Sequence, residues 1–206
     1  MLRPTPITIL GIESAPKERL DTLALAARVL GRLLRHSNAK RVVFSAHGLR
    51  EGILCEHLTP EQQGVDPLLA SCRLTALATT KDPINGLGHG QGDGARLTDW
   101  LAPLFAGEGS DERRLRLAAG LLSDIGWRIH PDERPDHAMA DVLRAPLIGL
   151  DHTQRIKLAL AIRFRYTHRR DGRWAHRYGH LIDDEDRIWS RRVGQALRLA
   201  HTLSGG

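Results

Sequence analysis

The sequence predicts a mainly α-helical protein with one small strand–helix–strand unit at its front. Beyond residue 66 apolar residues recur at helical spacing in almost every segment. Only two short runs, residues 6–12 (PITILGI) and 41–46 (RVVFSA), have the length and β-branched content of buried strands. The composition, 41% apolar and 26% charged, is that of a chain that folds around a core rather than one that stays disordered.

The elements follow in order. After the first apolar run, Pro16 stands at a helix start, and Leu20, Leu23, Ala26, Ala27, Leu30 and Leu34 give residues 17–35 a helical period. The polar turn SNAK leads into the second strand at 41–46, so the front of the chain reads as a βαβ unit. One such unit does not make a sheet, and it is expected to be the edge of a larger α/β domain. The stretch FSAHGLREGIL (44–54) then reads as strand into turn, with Gly48 and Gly52 turning the backbone and Arg50 and Glu51 bracing it.

Residues 59–66 (TPEQQGVD) form a polar linker, which divides the chain into 1–58, the linker, and a helical part at 67–206. Helices are predicted at 67–79, at 98–105, from a Ser110 cap through Leu122, and at 135–146, 151–167 and 185–203. Asp151 and Asp183 or Asp184 are the caps expected for the last two. The glycine-rich GLGHGQGDG at 86–94 lacks both a Walker lysine and a full GxGxxG after a strand, so it reads as a loop.

Two cysteines, Cys55 and Cys72, are too few for a disulfide framework, and a reducing cytoplasm is the expected compartment. No apolar run approaches the roughly 18 residues of a membrane span. Nor does an apolar core with a small-residue cleavage site follow Met1, so neither membrane nor signal peptide is expected. The net charge is +6 and the pI about 10. Arginines concentrate at 163, 165, 169, 170, 173 and 177, opposed only by Asp171. Such a field favours a polyanion or a phosphorylated ligand, and Arg163, Arg165, Arg169, Arg170 and Arg173 are the candidate contacts. The bland reading, a solvated face or a subunit interface, stands equally beside it.

The stretch LLSDIGWRIHPD (121–132) looks like the core of an HD-type helical domain, in which adjacent His and Asp help hold a divalent metal. Here Ser123 stands in the histidine position beside Asp124, and a hydroxyl is a poor ligand, so no metal site is expected. His130, His137, His152 and His168 read as ordinary histidines and Trp127 as core packing. No nucleophile elbow, CxxC or HExxH is present. The residues alone thus leave open a metal-dependent phosphohydrolase of HD type and a non-catalytic helical module that binds a polyanion, with Ser123 favouring the second.

Taken together, these segments resemble the exopolyphosphatase/guanosine pentaphosphatase (Ppx/GppA) family. FSAHGLREGIL is similar to the strand and G-L-R-E-G turn that close its second actin-like (RNase H-like) lobe. LLASCRLTALA, GDGARLTDWLAPLF and RRLRLAAGLLSDIGWRIHP resemble its following HD-like helical domain, and LSDIGWRIHP its alphaproteobacterial type. The resemblance covers nearly all of the chain. It implies a fold of an all-helical HD-like domain preceded by a small α/β remnant of an actin-like lobe.

It further implies hydrolysis of terminal phosphate from polyphosphate or guanosine pentaphosphate, with Mg²⁺ as cofactor, a catalytic Glu, and dimers. No segment of these 206 residues resembles the family's phosphate-binding glycine loops or that Glu. The chain is therefore expected to be a C-terminal portion without catalytic residues or cofactor of its own, inactive alone, with polyphosphate a better partner than nucleic acid.

Overall fold

The computed structural model describes residues 16–42, 47–79, 93–169 and 173–204. The described residues are helical and contain no strand. The predicted strand at 6–12, most of that at 41–46 and the loop at 86–92 lie outside them, so the α/β remnant is not shown; Arg41 and Val42 are exposed and irregular. Chain contacts divide the protein into two units, Met1–His57 and Leu58–Gly206. No helix among the described residues is long and apolar enough to cross a membrane.

In the first unit α1 (Lys17–Ser37) runs two residues beyond its predicted end and buries none of its side chains. It stops where Asn38 turns left-handed, at φ 51°, and returns its N–H to the Leu34 carbonyl. The GLREG stretch is not the predicted turn: it opens a helix, α2 (Leu49–Glu56). Gly48 is the extended residue before it, and its N–H donates to Glu51 Oε2 at 2.6 Å. Hydrogen bonds from its own backbone N–H and from that of Gly48 hold the Glu51 carboxyl below its usual range. Gly52 lies inside α2 with open space beside it, and Arg50 is exposed.

In the second unit, Thr59 caps a short helix α3 (Pro60–Gln63) within the stretch read as a linker. Helix α4 (Pro67–Thr79) has the predicted bounds. Next come α5 (Asp93–Leu101) with a 3-10 turn (Ala102–Phe105), α6 (Ser110–Leu121) and α7 (Arg134–Arg144). The last three are α8 (His152–Tyr166), a short α9 (Arg173–Tyr178) and α10 (Asp184–Ser204). Ser110 is the first residue of α6 and not its cap; extended Gly109 precedes it. Asp151 caps α8 as expected, accepting the Gln154 N–H at 2.7 Å, and Asp183 accepts the Asp186 N–H at 2.8 Å before α10.

The core is built around α8, whose residues from Leu158 to Phe164 are all buried. Helices α10 and α7 pack on it most extensively, while α6 rests on α4 and α5. At Gly194 the backbones of α8 and α10 come so close that a Cβ would collide with the Ala161 carbonyl. That approach sets how the ends of α8 and α10 meet.

Candidate anion-binding cleft

The ends of three helices enclose a cleft of about 300 Å³. Pro131 and Arg134 line it from the start of α7, Arg165 and Tyr166 from the end of α8, and Arg198 and His201 from the last turns of α10. Tyr166 is its anchor. The phenol donates to the Ser123 carbonyl at 3.0 Å and accepts the Gly126 N–H at 3.2 Å. Burial raises its pKa, so it stays a neutral hydroxyl. Arg165 lies over the Tyr166 ring at 4.4 Å and Arg134 at 5.6 Å. Arg134 is held in place by donating to the carbonyls of Ile129 and Trp127, each at 3.0 Å.

The charge in the cleft is only partly compensated. Asp124 meets Arg165 at 3.5 Å, but among the described residues neither Arg134 nor Arg198 has a carboxylate partner. Arg165 Nε is shielded from water and finds no acceptor among them. Burial lowers the Arg165 pKa; Tyr166 and Asp124 oppose that shift, and the nearby Arg134 and Arg198 add to it. Three guanidiniums face one carboxylate, an arrangement an incoming anion relieves.

Both residues at the HD-like position contact side chains that line this cleft, Ser123 through His201 and Asp124 through Arg165. Ser123 is buried, and its one hydroxyl hydrogen goes to the Gly120 carbonyl at 2.7 Å. Its oxygen therefore accepts from His201 Nε2, 2.9 Å away, which fixes the proton on that nitrogen. With Asp124 facing a guanidinium and Ser123 engaged with His201, this donor set does not fit a divalent cation. The described residues contain no group of three or more His, Cys, Asp or Glu able to hold a metal ion. His130, His137, His152 and His168 are exposed.

The arginines predicted as one patch separate. Arg163 is buried and pairs with Asp136 at 2.9 Å, away from the cleft lining, and donates to the Arg169 carbonyl at 3.0 Å. Arg169 is exposed. Arg170 and the side chain of Arg173 lie outside the described residues. Of the five, Arg165 alone among the described ones lines the cleft. Sequence reasoning missed Arg134, Arg198 and His201. The signal for two of them was present: Arg198 and His201 are three residues apart on one face of α10.

The cleft lies wholly within residues 93–206, and over those same residues the sequence matches a family model described as exopolyphosphatase, C-terminal. No curated protein matches the chain. Since the match spans more than half of its length, the chain belongs to the exopolyphosphatase C-terminal family.

Proposed function

We propose that this chain is the polyphosphate-engaging C-terminal portion of an exopolyphosphatase-type phosphohydrolase, an enzyme that removes terminal phosphate from inorganic polyphosphate or guanosine pentaphosphate. The observation that carries this reading is the cleft of Arg134, Arg165 and Arg198, undercompensated by Asp124 and set in the family-matched segment. Guanidiniums bind phosphate oxygens through paired N–H donors, and a water-shielded Arg165 gains more from such an anion than an exposed one does. On this reading Mg²⁺ and the catalytic Glu belong to segments that these 206 residues do not resemble, and the chain binds without turning substrate over. A homodimer is the assembly this reading carries with it.

The test is a competition on the purified 206-residue chain. Long-chain polyphosphate is expected to displace duplex DNA at equal phosphate concentration, and no phosphate is expected to be released with Mg²⁺ present. DNA displacing polyphosphate would point instead to a nucleic-acid module. Clear Mg²⁺-dependent release would sink the claim that the chain only binds.

A further inference from the structure

We propose that Asp124 is a built-in competitor for the cleft: it engages the Arg165 guanidinium while the cleft is empty and gives it up when a phosphate chain binds. The proposal rests on the reading of the cleft as polyphosphate-engaging, and adds to it a residue that sets how tightly the site binds. Two observations carry it.

The first is a fork only half used. Arg114 and Arg116 each hold one carboxylate through Nε and Nη2 together, along the side edge of the guanidinium. Arg165 presents the same pair of donors. Its Nη2 meets Asp124 Oδ1 at 3.5 Å, the outer limit of a hydrogen bond, and its Nε has no acceptor among the described residues. Asp124 therefore occupies this edge without filling it. A phosphate that sets two oxygens against the same edge makes both bonds, so the two anions exclude one another there.

The second is which partner can give way. The Arg165 side chain is 14% exposed and lies over the Tyr166 ring at 4.4 Å, whereas that of Asp124 is 40% exposed. Asp124 does not itself line the cleft; it reaches the guanidinium from the turns that follow α6. The cation is thus the fixed member of the pair, and water already reaches the carboxylate that has to leave. Burial lowers the Arg165 pKa and Asp124 opposes that only in part, so a closer anion in its place stabilises the guanidinium further.

Titration calorimetry of the purified 206-residue chain with long-chain polyphosphate tests the competition. Asp124→Asn removes the competing charge and is expected to bind about fivefold more tightly than the unsubstituted chain. Its melting temperature without ligand is expected to fall, because Arg165 loses its carboxylate. Polyphosphate is then expected to raise that temperature by more than it does for the unsubstituted chain. Asp132→Asn makes the same change in net charge at a side chain that is 91% exposed beside His130, and its affinity is expected to stay within about twofold. Asp124→Glu keeps the charge and is expected to bind no more tightly than the unsubstituted chain.

Unchanged or weaker binding by Asp124→Asn would make Asp124 a positioning residue for Arg165, and would overturn the competition while leaving polyphosphate binding intact. Equal tightening by Asp132→Asn would assign the effect to overall charge and overturn it as well. So would tighter binding by Asp124→Glu, a variant that leaves Arg165 its carboxylate and keeps the test open if Asp124→Asn does not fold. Failure of the unsubstituted chain to bind any polyphosphate would instead remove the underlying reading, and the competition with it.

Discussion

Arg116 and Arg165 are both largely buried, each with a single carboxylate, and the fold settles them in opposite ways. Arg116 on α6 donates through Nε and one terminal nitrogen to Glu108, sends the other to the Thr98 carbonyl at 2.6 Å, and lies 5.0 Å over Phe105. Arg165 on α8 has Asp124 at 3.5 Å and a ring beneath it, and its Nε has no acceptor among the described residues. One guanidinium is spent holding α6 to the segment before it. The other is left with donors to give, beside two more cations and an open cleft. A buried charge that is fully met is structural; one held short of partners is where a ligand gains most.

The largest effect that tests this contrast falls on the Arg116 side. Arg116→Met leaves the Glu108 carboxylate, 10% exposed, without its cation, and is expected to cost about 3–5 kcal/mol in urea unfolding. Replacing Glu108 with Leu in the same chain is expected to restore most of that loss, since the uncompensated charge then disappears. A single-variant cost below about 1 kcal/mol, the range of a surface pair, would erase the contrast with Arg165.

The smallest effect comes from a pair of intermediate kind. Arg114 donates to both Asp66 oxygens, at 2.6 and 2.9 Å, nearer the surface. The hydrogen bond from Arg114 is the main cause that holds the Asp66 carboxyl below the usual carboxylate range. A folded pKa below the unfolded value of about 3.9 stabilises the protein above that pH. That contribution is lost as the pH falls through the lowered value. Urea midpoints at pH 7 and pH 3 are expected to show a modest acid loss that Asp66→Asn reduces. An acid loss unchanged by the substitution would mean that the pair contributes nothing.

Much of the helical unit was legible because its signals are local. Pro67, the Asp151 box with Gln154 and Asp183 mark helix starts within a residue or so of the observed ones. The GLREG stretch misled for an equally local reason. Two glycines four apart read as a turn, although a glycine inside a helix costs only about 1 kcal/mol, and Glu51 at the third position supplies the cap.

The cleft was half legible. Arg165 was visible within a basic run, but Arg163 and Arg165 lie about 200° apart around α8, so a cluster in sequence is two faces in space. Arg134 and Arg198 stand 31 residues before and 33 after Arg165. Only the packing of α7 and α10 on α8 brings them to it, and no local pattern carries that.

The claim that the cleft is where polyphosphate binds is most directly measured by hydrogen exchange of the 206-residue chain with and without long-chain polyphosphate. Slowed exchange is expected at the start of α7 near Arg134, at the end of α8 through residues 165–169, and in the last turns of α10 at 198–204. Unchanged exchange there, with protection appearing instead along α1 or α5, would contradict it.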